Sequence, residues 1–353
     1  MIKEEYSPYK LVHFPRALRE MRLGRLPAPL QAHLITTNRC NQDCDICAYR
    51  RDGHQSNQRF DPRDQLSGKK LMEIVNDLAA LGCKAVQFTG GGEPLLHPDI
   101  TRAFKRARKL GMSISLVTNG TRLGPEVIEA LEGAAWVRVS LDAATPETYA
   151  KVKNSPAKNF DLAMENVRKL VEVKGDTIVG LGFVVQRHNH GEILAAARLA
   201  KSLGVDNIRL AAAFTPEGTD YFRDFMDDAM SQAKGTADLS DDGFTVFNLF
   251  NERLGELFSG RQRYPYCHYK DLVPYIGANQ IVYSCCVKAY TDQGVMGSIA
   301  NRRLVDFWSD PLRAKTYGQH DPRGMCTHPC MFEEKNKFIN YCVKPRPRHA
   351  GFI

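Results

Sequence analysis

Three cysteines, Cys40, Cys44 and Cys47, stand in the run Thr-Asn-Arg-Cys-Asn-Gln-Asp-Cys-Asp-Ile-Cys, spaced Cys-x3-Cys-x2-Cys. Three thiolates on one short loop can hold three corners of a cubane iron–sulfur cluster, whose usual complement is four. A missing fourth ligand leaves one iron open, and an open metal position is where chemistry takes place. The competing reading is a zinc knuckle that borrows a histidine such as His54. Cys83, at a helix end before a strand, reads as a buried structural thiol.

The elements that must position this loop follow from an alternation between about residues 31 and 212. Short β-rich runs are 33–37, 85–89, 113–117, 136–141, 177–185 and 207–210. Amphipathic stretches with helical spacing lie between them, such as 71–78, 162–171 and 193–203. Gly82, Gly111, Gly133 and Gly204 are placed to end helices. Six strands alternating with helices predict consecutive right-handed βαβ units in a parallel sheet. Six units are too few for a closed eight-stranded barrel, so the expected fold class is α/β, a partial (β/α)6 TIM-like barrel. Ligands in such folds gather at the carboxyl ends of the strands. The cysteine loop follows the first strand and belongs at that mouth. Residues 1–30 are expected as a helical N-terminal extension, 31–215 as the barrel and 216–262 as a helical bridge. In the bridge the aromatic runs 220–226 and 244–250 read as helices covering the barrel. From 263 to 353 elements shorten and cysteines become dense, which predicts a small cysteine-rich α+β domain.

Motifs after the strands carry a family likeness. Gly90-Gly-Gly-Glu-Pro94 follows the second strand, Thr118-Asn-Gly120 the third, Ser140-Leu-Asp142 closes the fourth and Val184-Val-Gln-Arg-His-Asn189 the fifth. With the cysteine triplet upstream, this series resembles the radical S-adenosylmethionine superfamily. The resemblance implies that the open iron chelates the amine and carboxylate of S-adenosylmethionine. The [4Fe–4S] radical cluster then reduces the sulfonium, and a 5′-deoxyadenosyl radical forms. It places Gly91, Gly92 and Glu93 along the methionyl amine, and makes Asn119, Ser140, Asp142, Gln186 and Asn189 candidate contacts to the rest of the cofactor. One departure is Ile46, before the third cysteine, where the family often has an aromatic residue facing adenine. Read without the family, the glycine run is a strand-to-helix turn, and Ser140 and Asp142 are helix caps.

The C-terminal cysteines are Cys267, Cys285, Cys286, Cys326, Cys330 and Cys342. Cys267-x17-Cys285, then a gap of about forty and Cys326-x3-Cys330, resembles the SPASM/twitch extension of the same superfamily. That likeness implies one auxiliary [4Fe–4S] cluster, since six cysteines cannot saturate two cubanes. The expected ligands are Cys267, Cys285, Cys326 and Cys330, with Cys286 and Cys342 as possible replacements. A cysteine left over is a candidate catalytic hydrogen-atom donor, so Cys286 and Cys342 are the candidate catalytic residues. A structural zinc site built from the same thiols is the alternative. Tyr283 and His268 lie nearby in the chain and read as structural.

The bulk numbers narrow the function class. The N-terminus lacks the apolar core of a signal peptide, and no run of eighteen apolar residues exists. The expectation is a cytoplasmic protein with no membrane partner, where clustered cysteines serve metals rather than disulfides. The net charge is +8. Arg16, Arg19, Arg22 and Arg25 gather on one helix, and Lys344, Arg346 and Arg348 in the tail. Attraction to an anionic substrate is one reading and a solvated face the other. Few aromatics interleave with these charges, which argues against nucleic acid. The expected activity is oxidation or bond formation on a small polar natural-product, carbohydrate or nucleoside-type substrate. Flavodoxin or ferredoxin would serve as the external one-electron reductant. The alternatives are a peptide-modifying maturase or epimerase with a cysteine hydrogen donor, and a non-catalytic iron–sulfur or zinc protein that binds nucleic acid. Only thirty residues precede the first strand, which lowers the peptide reading.

Overall fold

Seven strands run parallel in chain order: β1 Gln31–Ile35, β2 Ala85–Thr89, β3 Ser113–Thr118, β4 Trp136–Ser140, β5 Ile178–Val185, β6 Asn207–Ala212 and β7 Thr245–Asn248. The structure is a computed structural model and describes residues 7–51, 58–252, 262, 264–326 and 330–344. His54, residues 253–261 of the expected bridge, and Arg346 and Arg348 of the basic tail lie outside the described residues.

Side-chain alternation divides each strand between two surfaces. Leu34, Val86, Phe88, Leu116, Val139, Leu181 and Leu210 point outward into the main core and are buried. Their partners are the apolar stripes of the crossover helices α1 Pro15–Arg22 excepted: α2 Gly68–Ala80, α3 Ile100–Lys109, α4 Pro125–Ala130, α5 Pro146–Lys153, α6 Lys158–Val173 and α7 Ile193–Ser202. In α2 that stripe is Leu71, Ile74, Val75 and Leu78, and Ser67 caps its start by accepting the Lys70 N–H. Gly82, Gly111, Gly133 and Gly204 all take positive φ after their helices, as expected. Among the inward alternates are Gln31, His33, Gln87, Ser115, Arg138 and Ser140.

Two expectations need correction. Residues 244–250 are not a covering helix. Thr245–Asn248 pairs in parallel with β6 as a seventh strand, and only Leu249–Glu252 is helical. The apolar run is short enough to fit either period, and the free edge of β6 captures it. Nor is residue 263 a break in the architecture. β8 Tyr275–Ile276 pairs in parallel with β1, and β9 Ile281–Tyr283 and β10 Val295–Ser298 continue antiparallel. The result is one ten-stranded sheet in the order β10-β9-β8-β1-β2-β3-β4-β5-β6-β7. The cysteine-rich unit therefore extends the barrel wall on the β1 side. The N-terminal extension closes the arrangement: Leu11, Ala17 and Met21 pack with Tyr269, Leu272 and Ile339 of the C-terminal unit.

Candidate functional site

The cysteine loop is held from three directions. From α5, the Val152 and Lys153 carbonyls accept the N–H groups of Asp45 and Asp43, each at 3.1 Å. From its own length, Cys47 N–H donates to Cys44 O at 3.1 Å, and Arg51 Nε to Cys44 O at 3.0 Å. From the glycine turn, Gly92 N–H reaches Thr37 O at 3.1 Å and Glu93 N–H reaches Arg39 O at 2.8 Å. The turn can approach only because it lacks side chains. A Cβ on Gly91 would run into Asn38 Oδ1, and one on Gly92 into the Arg39 carbonyl.

Burial pushes the Cys40 thiol up to about 11, with Glu93 and Cys44 adding to the effect. Burial also raises Cys44, with Asp142 and Cys47 in the same direction and Lys153 opposing. Each thiol thus lies within electrostatic reach of the next. Without metal the Cys40 and Cys44 thiols stay protonated, and loading a cluster must release those protons.

The expected cofactor contacts divide into two groups. Glu93 is buried, and its Oε1 accepts Thr118 Oγ1 at 2.7 Å while Oε2 accepts Asn119 N–H at 2.8 Å. It joins the glycine turn to the end of β3. Asn119 Nδ2 donates to Asn41 Oδ1 at 2.8 Å, which ties β3 to the cysteine loop. Ser140 ends β4 on the lumen side. Gln186 is buried, and its Oε1 has no hydrogen-bond partner; it retains an acceptor for a ligand.

Asp142 and Asn189 take part in the framework of the strand ends. Asp142 takes a left-handed backbone, with φ 59°; its Oδ1 accepts Val184 N–H at 2.7 Å and its Oδ2 pairs with Lys153. Asn189 Nδ2 donates to Asp142 O and Val184 O, both at 2.9 Å, and its Oδ1 accepts Gln186 N–H at 2.8 Å. These bonds engage both side chains in holding the ends of β4 and β5 together.

Lys153 is the residue that sequence reasoning missed. Its side chain is buried in the last turn of α5. Burial opposes its charge, but Asp142, Cys44 and Tyr149 outweigh that and hold the ammonium above the ordinary lysine range. It supplies the positive charge nearest Cys44. The available signal was its position four residues after Tyr149, on the buried stripe of an amphipathic helix.

The second thiol set converges across three segments. Burial is the largest cause that raises Cys285, Cys326 and Cys330; Cys267 adds to it in all three, and in Cys285 the neighbouring Cys286 adds more than Cys267 does. Cys326 lies at about 11 and Cys330 at about 12. Asn336 Nδ2 donates to Cys267 Sγ and Phe332 N–H to Cys330 Sγ, each at 3.4 Å. Among the described residues no group of three or more His, Cys, Asp or Glu closes around a single ion. One zinc needs all its sulfurs about 2.3 Å from one centre, whereas a cubane offers each thiolate its own iron.

The two spare thiols separate. Cys342 sits on the helix Glu333–Val343, where its carbonyl accepts Arg22 Nε at 2.6 Å. Burial raises its thiol, opposed by the charge of Arg22. Cys286 packs against the cluster of Ile35, Tyr275, Tyr283 and Tyr290 beside β1, and the Arg209 charge from β6 reaches it.

Comparison with known proteins agrees with this geometry. Residues 34–200 match the Radical SAM superfamily. A probable GTP 3′,8-cyclase of Saccharolobus islandicus is 30% identical over 191 residues, covering 53% of this chain and 58% of that one. An AdoMet-dependent heme synthase of Methanosarcina barkeri is 31% identical over 169 residues, covering 47% and 45%. The chain thus spans about half the length of these curated relatives. Among solved structures, Streptococcus suis SuiB bound to precursor peptide SuiA superimposes with a TM-score of 0.63 at 15% identity, over 89% of this chain and 72% of that one. anSMEcpe with AdoMet and a Cp18Cys peptide gives 0.59 at 15% identity, over 88% of each. These structures share the fold. No helix among the described residues is long and apolar enough to cross a membrane. The chain carries a radical SAM superfamily domain, an enzyme domain whose cofactors are S-adenosylmethionine and a [4Fe–4S] cluster.

Proposed function

We propose that this protein uses its radical SAM domain to oxidise, or form a bond within, a small polar substrate, with a second iron–sulfur cluster in the C-terminal unit. When bound, the first cluster and S-adenosylmethionine supply a 5′-deoxyadenosyl radical by one-electron cleavage of the sulfonium, and the second cluster supplies an electron sink. The observation that carries the reading is the contrast between three thiols on an open loop and four converging thiols in a pocket.

The chain's own residues set the conditions. Cys40, Cys44 and Cys47 hold the first cluster, and Lys153 offsets negative charge beside Cys44. The side-chain-free Gly91–Gly92 backbone lets the turn pack against Asn38 and Arg39 beside the cysteine loop. Gln186 offers its unpaired carbonyl. Cys267, Cys285, Cys326 and Cys330 hold the second cluster. A flavodoxin or ferredoxin is the natural source of the initiating electron.

The small-molecule reading draws support from the sequence relatives, named for a nucleotide cyclase and a heme synthase. The peptide-bound neighbours share only the fold. A second reading, epimerisation, rests on one observation: Cys286 lies beside β1, within electrostatic reach of Arg209 on β6. There its thiol could return a hydrogen atom to a substrate radical.

The test is anaerobic reconstitution with iron and sulfide, followed by reductant and S-adenosylmethionine. The expected product is 5′-deoxyadenosine. An iron-loaded protein that forms none sinks the proposal. Deuterium from solvent in a product that is otherwise unchanged selects epimerisation.

A further inference from the structure

Asn336 is a polar side chain on the apolar face of its helix. The helix Glu333–Val343 buries Asn336 and Ile339, and Asn336 is fully inaccessible to solvent. Ile339 and Phe332 of the same segment belong to the apolar cluster that holds Tyr269, Leu272 and Cys267. A buried amide is costly unless its ends are engaged. Here both ends are engaged, and one partner is a sulfur.

The orientation of the amide is fixed. Tyr269 donates its backbone N–H to Asn336 Oδ1 at 2.9 Å. A backbone donor at that distance requires the oxygen end, so the amide cannot turn over without losing the bond. The nitrogen end therefore faces Cys267. Nδ2 donates to Cys267 Sγ at 3.4 Å, and the Tyr264 hydroxyl lies 3.4 Å from the same nitrogen. An amide nitrogen carries two hydrogens, enough for both acceptors.

The backbone beside the sulfur is held as well. Lys270 Nζ donates to the Cys267 carbonyl at 3.0 Å and stands 3.4 Å over the Tyr266 ring. Lys270 is fully buried, and Asp271 accompanies it at 3.4 Å, which offsets part of its charge. Burial raises the Cys267 thiol, and the Lys270 charge and the Asn336 amide pull against that rise. A sulfur that carries more negative charge accepts such a bond more strongly. The sulfur ligands of an iron–sulfur cluster gain electron density when the cluster is reduced, and hydrogen bonds to them help to set its potential. In apolar surroundings the bond counts for more than at a wet surface.

We propose that Asn336 is a positioning residue whose Nδ2–H···Sγ bond to Cys267 raises the reduction potential of the second cluster, so that this cluster accepts an electron more readily. The proposal rests on the second-cluster reading given above. The step it biases is a one-electron reduction. The oxidised cluster gains one electron and one negative charge, supplied by dithionite in the assay and by the substrate radical in turnover. No bond to Asn336 forms or breaks covalently, and its amide stays neutral in both states.

The experiment uses the full-length chain carrying Cys40→Ala, so that the remaining cluster signal belongs to the second site. After anaerobic reconstitution its iron is counted. Its midpoint potential is then measured by dithionite titration followed by electron paramagnetic resonance. Asn336→Leu keeps the volume and removes the donor, and Asn336→Ala removes it with less bulk. Each should lower the ratio of reduced to oxidised cluster at a fixed potential about tenfold, the worth of one hydrogen bond, which is about 59 mV for one electron. Asn336→Gln keeps a donor and should recover part of the shift. Variants that load about four irons with unchanged midpoints, even if they melt earlier, overturn the role of Asn336 and leave the second cluster standing. A Cys40→Ala parent that loads no iron overturns the second-cluster reading and the proposal with it. Should neither variant load, the parent decides. With 15N in its asparagine side chains, spin-echo modulation of the reduced cluster should show a 15N coupling, and its absence overturns the bond.

Discussion

The two cysteine regions differ in how their ligands are brought together. Cys40, Cys44 and Cys47 come from one loop, so local geometry suffices to group them. Cys267, Cys285, Cys326 and Cys330 come from segments far apart in sequence and meet only because β8 to β10 extend the barrel wall. The loop leaves a ligand position for a cofactor. The pocket gathers a full complement. A local site can be opened to chemistry, whereas a site assembled by the fold also staples that fold together.

The largest expected effect tests the open site. Cys40→Ala should abolish 5′-deoxyadenosine formation, measured by chromatography, and lower iron from about eight to about four per chain. The next tests the closed site. Cys285→Ala should also lower iron to about four, yet leave some cleavage of S-adenosylmethionine and lower the thermal midpoint. Equal loss of cleavage in both variants would break the contrast.

Removing the metal exposes a pH effect that favours the same distinction. The buried thiols have folded values raised above their unfolded value of about 8.5. Both states are protonated below that value, so the stability is fully present there. As pH rises the unfolded thiols ionise first, and stability falls until the folded values are passed, at about 11 for Cys326 and about 12 for Cys330. Each such thiol contributes a slope of up to about 1.4 kcal/mol per pH unit in that window. Denaturant melts of chelated protein should therefore weaken from pH 8.5 upward, and cluster-loaded protein should not.

Smaller effects separate framework from ligand. Lys153→Met leaves Asp142 buried without its cation and should lose roughly 3–5 kcal/mol by denaturant melts. Cys342→Ala should change neither iron content nor 5′-deoxyadenosine formation, and stability by no more than about 0.5 kcal/mol. Iron loss in Cys342→Ala would assign it as a ligand.

Much of the barrel was legible because glycine caps and alternating periods are local signals. The seventh strand was not, because Phe244 to Phe250 is too short to reveal its period and the edge of β6 decided it. At the site, the cysteine loop and the glycine turn could be read directly. Asp142 and Asn189 could not be told from ligand contacts, since a polar residue after a strand serves either purpose. Their bonds to Val184, Lys153 and Gln186 are a fact of packing.

The sequence by itself determined the cysteine triplet proposed to hold the first cluster, because one loop carries its spacing. It also determined that a second thiol set exists. Tertiary structure decided which thiols come within electrostatic reach of one another, bringing Cys267 to Cys285, Cys326 and Cys330 and setting Cys342 beside Arg22. Contacts between distant segments depend on strand register, and register is set by the whole sheet rather than by any single stretch of chain.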